Sequence, residues 1–293
     1  MNKKQANKET ITSLIRSFLA DPHNNNLGEP DQARAWDDPL VGFARADDPL
    51  FEFYQQDIGD FYWLPREAFG LVHGPARDQD LTIIAWVLPQ TETARHDNRK
   101  MDFYPSRAWV RSRWQGEAVN SALRKHLVHR LADLGIRAVA PLLLKDWQIK
   151  KSPKYGRSSC WSERHAAYAA GLGTFGICAG LITPKGKAVR VGSVIAEINL
   201  TPDKRPYKTH MQYCLMASRG ICGLCMERCP VGAITPEGKD KAKCMAHSRG
   251  KVAPYLLSEY GIKGYACGLC QTGVPCERSI PRPQDLERLN RKD

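Results

Sequence analysis

Eight of the ten cysteines fall between positions 214 and 276, and their spacing constrains this chain more than any other feature. They are Cys214, Cys222, Cys225, Cys229, Cys244, Cys267, Cys270 and Cys276. Cys222-Gly-Leu-Cys225-Met-Glu-Arg-Cys229-Pro230 matches the last three cysteines of the C-x2-C-x2-C-x3-C-P run that holds iron–sulfur clusters, in which the fourth thiolate serves the other cluster. The first position of that run falls on Arg219, which cannot ligate iron, so Cys214 is the nearest substitute and the loop Leu215 to Ile221 must bring it back. The second run places Cys276 after Cys267 and Cys270, with Pro275 before it and Cys244 as its remote member. Applying the crossover rule yields one set of Cys214, Cys222, Cys225 and Cys276 and another of Cys229, Cys244, Cys267 and Cys270. A C-x2-C pair also suits a tetrahedral zinc site or a redox dithiol. Two such pairs, the Cys229-Pro230 step and two further thiols favour clusters, with zinc as the alternative.

A chain of 293 residues exceeds the usual single core of about 100–200, so a larger domain plus a cysteine-bearing module is the expected division, at residues 1–205 and 206–293. No apolar run reaches the ~18 residues that span a bilayer. The polar start, Met1 to Lys8, shows neither a secretory apolar region nor a twin-arginine signal, so a cytoplasmic chain with reduced thiols is expected, and no membrane partner. The formal charge of +12 falls to about +8 once eight thiolates and two cluster cores are counted. Its basic residues are scattered, which suits a solvated surface as well as an acidic redox partner or a nucleic acid.

Along the chain, Ile11, Leu14, Ile15, Phe18 and Leu19 recur at helical spacing, and Asp21 to Asp37 reads as a loop. Ala35 to Phe69 is rich in aromatic residues, which fit a core better than a flat cofactor pocket. Leu81 to Leu88 reads as a buried strand, Ser106 to Leu134 as a long helix stopped by Gly135, and Ile136 to Leu144 as another strand. Ser162 is positioned to cap a helix that ends at Gly171, and a glycine-rich turn, Gly171 to Gly176, follows. Val189 to Leu200 reads as a strand, and Thr201 to Pro206 as a linker. The succession predicts an α+β or α/β layer.

The stretch Trp161-Ser-Glu-Arg-His-Ala-Ala-Tyr-Ala-Ala-Gly-Leu-Gly-Thr-Phe-Gly176, then Val191-Gly-Ser-Val194, then the two cysteine runs, resembles the epoxyqueuosine reductases and their relatives the reductive dehalogenases. The similarity runs from Pro39-Leu-Val-Gly-Phe43 to Cys276. It implies an α+β chain: a nitroreductase-like α/β core holding a base-off cobalamin, followed by a ferredoxin-like module with two 4Fe–4S clusters. Gly171, Gly173, Phe175, Gly176 and Cys178 are the residues it implies for corrinoid contact. Electrons would come from an external low-potential donor of ferredoxin or flavodoxin type and reach a small substrate by reductive dehalogenation or a deoxygenation-type reduction.

Two departures bear on the substrate. Tyr155 to Trp161 carries no carboxylate where epoxyqueuosine reductases place an acidic proton donor, and Ile177-Cys178 replaces the lysine–asparagine pair that follows the glycine turn. Dehalogenases use a tyrosine with a basic neighbour, so Tyr155 with Lys154 or Arg157 is the candidate acid. Cys160 and Cys178 stand outside both cluster sets and are expected to be small buried hydrophobes, with a redox or cobalt-facing role as the alternative. Glu163 and His165, at a helix start, suit capping and the helix dipole, with proton transfer as the alternative. Two further functions stay open: a non-catalytic iron–sulfur electron carrier without corrinoid, and a tRNA epoxyqueuosine reductase.

Overall fold

The computed structural model describes residues 6 to 290. Asn7 accepts the Thr10 N–H at 2.8 Å and so starts α1 (Lys8–Ala20), which buries Ile11, Ile15, Phe18 and Leu19 as their spacing predicts. β1 (Leu40–Arg45), α2 (Pro49–Ile58), α3 (Pro65–His73), β2 (Thr82–Pro89) and α4 (Glu92–Arg99) follow. Next comes α5 (Arg107–Asp133), capped where Ser106 Oγ accepts the Trp109 N–H at 3.2 Å and stopped at Gly135, whose φ is +72°. Beyond it lie β3 (Ala138–Val139), a hairpin of β4 (Ile149–Ser152) and β5 (Gly156–Ser159), α6 (Glu163–Ala169), the short pair β6 (Thr174–Phe175) and β7 (Leu181–Ile182), and β8 (Val189–Ala196).

β1, β2, β8 and β3 form one sheet in that order, every neighbouring pair antiparallel. Every residue of β2 is buried, so the apolar run is the strand with a helical layer on each face. Its side chains alternate: Ile83, Ala85 and Val87 pack with α2, α3 and α6, while Ile84, Trp86 and Leu88 pack with α1 and α5. Gly192 of β8 lies opposite Trp86, where a Cβ would stand 2.4 Å from the indole, so only glycine fits beneath that ring. The strand expected over Ile136 to Leu144 is confined to two residues because Pro141 has no N–H for the ladder and begins a single tight turn. Most of the aromatic stretch is core, as expected: Trp36, Phe43, Phe51, Tyr54, Tyr62 and Phe69 are buried, Phe61 and Trp63 half-buried, and Phe53 exposed.

The segment read as a linker is fastened. Asp203 takes the Phe43 N–H on its carboxylate at 2.9 Å, donates its own N–H to Phe43 O at 2.8 Å and pairs with Lys8 at 2.5 Å. It therefore runs along the edge of β1 and delivers the cysteine segment at a fixed place. That segment holds α7 (Leu215–Arg219), α8 (Leu224–Glu227), a small hairpin of β9 (Ile234–Thr235) and β10 (Gly238–Lys239), α9 (Lys241–Met245), α10 (Ala253–Tyr260) and α11 (Pro283–Asn290). Val252, Leu256 and Ala266 close over Val110 of α5, and Tyr255 stacks on Tyr104 with ring centroids 3.8 Å apart. Among the described residues, no helix is long and apolar enough to cross a membrane.

Candidate metal centre

Cys214 stands at the start of α7, a helix of five residues that ends at Gly220 with φ +68°. This turn of helix and left-handed glycine is how the loop folds back, bringing Cys222 round to Cys214. Cys225 rides on α8, and Cys276 arrives from the far end of the segment. Its carbonyl accepts the Lys187 N–H at 2.8 Å, and the next carbonyl, of Glu277, accepts the Ala188 N–H at 3.1 Å. Gly186 permits that approach, since a Cβ there would lie 2.1 Å from Glu277 O. Cys214, Cys222, Cys225 and Cys276 all line one narrow, apolar-walled cavity, joined by Ile177, Ile182 and Val274. These are the four thiols that the crossover rule assigns to one set.

The other four gather beside it. Cys267 lies within electrostatic reach of Cys244, Cys229 and Lys239, and Lys239 within reach of Cys270 and Cys244. Cys229 Sγ accepts the Ala233 N–H at 3.2 Å, the kind of contact that tunes a cluster thiolate. Gly268, between Cys267 and Cys270, lies flat on the Trp109 indole of α5, so the core seats this loop as well. Among the described residues, no three or more His, Cys, Asp or Glu side chains close around a single-ion position. A cubane cluster holds its four thiolates on a wider tetrahedron than one zinc ion does, and thiols spread over the walls of a cavity fit the cluster.

Cys178 is a ninth thiol at this centre, contrary to the plain-hydrophobe expectation. It is 4% exposed, lines the same cavity as Cys225, and lies within electrostatic reach of Cys225 of the first set and Cys270 of the second. Lys187 Nζ donates to its sulfur at 3.4 Å. Cys160 fits the hydrophobe reading: it is buried away from both sets, and its sulfur accepts the Gln148 N–H at 3.3 Å.

The β4–β5 hairpin brings Tyr155 and Lys154 to Asp57 of α2. Tyr155 OH donates to Asp57 Oδ2 at 2.6 Å, and the Lys154 ammonium binds Oδ1. A carboxylate from another element thus stands beside the hairpin. Arg157 is exposed; what it gives is its carbonyl, which with that of Tyr155 accepts Lys241 Nζ at 2.8 and 2.9 Å. Burial, and then the bond to Asp57, raise the Tyr155 pKa, so the phenol stays protonated. Burial also raises the Asp57 pKa, but Lys154 and Tyr155 more than offset this and hold it below the usual carboxylate range.

His165 on α6 sits against the rings of Tyr54 and Phe175, with centroids at 4.7 and 5.0 Å, and its Nδ1 is 2.8 Å from Ser162 Oγ. Ser162 therefore serves the imidazole instead of capping the helix. Burial, then Arg164, push the His165 pKa down to about 3, which keeps the ring neutral. Glu163 points the other way, one oxygen 3.1 Å from the Arg124 guanidinium and the other buried without a partner. Burial pushes its pKa up to about 7 against the pull of Arg124.

No protein-family profile matches the chain. A curated epoxyqueuosine reductase of Staphylococcus aureus is 28% identical over 182 residues, 60% of this chain and 43% of that protein. One of Bacillus cereus is 30% identical over 160 residues, 53% of this chain and 39% of that protein. The matches thus span about two-fifths of the curated relatives' length. A solved reductive dehalogenase, described as acting by B12-dependent dehalogenation, covers 86% of this chain and 31% of its own at a TM-score of 0.51 and 15% identity, a likeness of fold. The chain thus resembles the epoxyqueuosine reductases in sequence and a reductive dehalogenase in fold.

The five positions expected to contact a corrinoid make close packing contacts of their own. A Cβ on Gly173 would lie 2.2 Å from Ile182 O, and one on Gly171 2.9 Å from Lys204 O, so both glycines let backbone close on backbone. Gly176 and Cys178 face the thiol cavity, and Phe175 packs on His165 and Tyr168. Gly171, Gly173 and Phe175 thus join the core to neighbouring backbone and rings, and Gly176 and Cys178 join it to the cysteine segment.

Proposed function

We propose that this chain is an iron–sulfur oxidoreductase, in which residues 206–293 form a module holding two 4Fe–4S clusters that carry electrons to the core. One cluster would be held by Cys214, Cys222, Cys225 and Cys276, the other by Cys229, Cys244, Cys267 and Cys270. The observation that carries this reading is the cavity whose walls bear all four thiols of the first set, drawn from both ends of the cysteine segment. When bound, the clusters supply one-electron transfer. The chain's own residues bury them, as Gly176, Ile182 and Lys187 close the cavity from the core side. The Asp57–Tyr155–Lys154 group on the same side of the core is the proton source, with the phenol kept protonated for donation. The electron donor would be a low-potential ferredoxin or flavodoxin.

A second reading, epoxyqueuosine reduction on tRNA, is favoured by the names of the curated relatives. Asp57 supports it by restoring a carboxylate beside the hairpin. It predicts tRNA binding whose affinity falls steeply with salt.

The test is anaerobic purification from cells supplied with cobalamin, followed by iron, sulfide and cobalt analysis. About eight iron per chain supports the cluster reading, and zinc in place of iron overturns it. Cobalt at about one per chain would add a bound corrinoid to this reading, and iron without cobalt would favour an electron carrier or a reductase with another cofactor.

A further inference from the structure

Lys187 is 3% exposed, an unusual place for an ammonium. It enters from the turn between β7 and β8, on the core side of the thiol cavity, and Gly186 beside it is the glycine against which the Cys276 strand is laid. Its Nζ lies 3.4 Å from Cys178 Sγ, it lines the thiol cavity together with Cys225 and Cys276, and Cys276, Cys225 and Cys270 lie within its electrostatic reach. Among the described residues its partners are sulfur groups, not carboxylates.

An ammonium taken out of water costs several kcal/mol unless an anion meets it. Neutral thiols do not meet it. A 4Fe–4S cluster on four thiolates does, with a net charge of about −2 when oxidised and about −3 when reduced. Because the attraction grows with the extra electron, a fixed positive charge favours the reduced state and raises the potential. Lys239 stands in the same relation to the second set, within reach of Cys270 and Cys244, but it is only half-buried, so water screens it more.

We infer that the buried Lys187 ammonium is the charge that sets the potential of the cluster held by Cys214, Cys222, Cys225 and Cys276. The inference rests on the cluster reading above. Lys187 is a positioning and tuning residue, not a ligand. Cys270 of the second set lies within its electrostatic reach, so a smaller part of the effect falls on the second cluster.

The experiment is a redox titration followed by electron paramagnetic resonance on the anaerobically purified full chain. It compares the wild type with Lys187→Gln, Lys187→Met, Lys187→Arg and Lys239→Gln, each checked for iron and sulfide. The neutral Lys187 variants are expected to lower one cluster's reduction equilibrium at least tenfold, about 59 mV for a one-electron couple. Lys187→Arg should stay near the wild type, and Lys239→Gln should shift the other cluster by less. Unchanged potentials at full iron content overturn the inference. If the neutral variants lose a cluster that Lys187→Arg keeps, the charge is required and the inference stands; if Lys187→Arg loses it too, size and not charge is at work, and the inference fails. A wild-type chain without iron or sulfide overturns the cluster reading itself, which is visible before any titration.

Discussion

Arg99, at the end of α4, grips Glu277 with Nε at 2.9 and 3.0 Å and Nη2 at 2.5 Å, and Glu277 is the residue next to Cys276. The carboxylate is 5% exposed and also accepts the Gly273 N–H at 2.7 Å. One guanidinium from the helical layer thereby fixes the thiol that closes the first set. Arg99→Ala leaves that buried carboxylate with only the Gly273 N–H and the more distant Arg95 guanidinium, 3.7 Å away, and should cost up to about 3 kcal/mol. It should also speed the loss of iron to a chelator. Chelation as slow as in the wild type would show that Cys276 does not depend on this grip.

Cys214 carries a sharper prediction. Cys214→Ala should lower the iron content from about eight to about four per chain, because only one set includes it. Cys178→Ala should keep about eight. The reverse pattern would make Cys178 the ligand and Cys214 the bystander.

Glu163 and His165 give stability opposite dependences on pH. The Glu163 carboxyl, raised from 4.5 to about 7, contributes stability that is full below pH 4.5 and lost as pH rises through 7. The His165 ring, lowered from 6.5 to about 3, contributes stability that is present above pH 6.5 and lost as pH falls towards 3. Between pH 4.5 and 6.5 the two slopes offset. Glu163→Gln should expose the imidazole slope, with the variant gaining on the wild type by up to about 3 kcal/mol as pH rises to neutrality. Thermal unfolding across that window measures it, and parallel curves for the two proteins would mean Glu163 is ionised throughout.

Asp57→Asn removes the charge that holds the hairpin tip. The Tyr155 phenol loses an anionic acceptor while Lys154 remains, so its pKa should move down towards the ordinary tyrosine range. Ultraviolet titration of phenolate reads this directly. Trypsin should also cut faster after Lys154 and Arg157. An unchanged titration would remove Asp57 from the proposed proton source.

The gap between what the residues announced and what the fold does follows from distance along the chain. Cysteine spacing, the capped long helix and the all-apolar strand are local patterns, and each appears where it is expected. Asp57 was silent because it meets Tyr155 from 98 positions away. Lys187 was silent for another reason: nothing in a lysine flanked by glycine and alanine says that its ammonium is buried. The glycine turn was open to two readings, since glycine spacing alone does not separate backbone contact, such as that of Gly173 with Ile182, from ligand contact. The strand that stops at Val139 was lost to Pro141.

The return of Cys276 to the cavity has a consequence for how the protein is made. During synthesis Cys214, Cys222 and Cys225 emerge well before their fourth companion, and the Lys187 and Ala188 N–H groups that receive the Cys276 strand are already waiting. The cavity therefore has only three of its four thiols until Cys276 is laid against the core, so completing it depends on that core contact as much as on the cysteine segment itself.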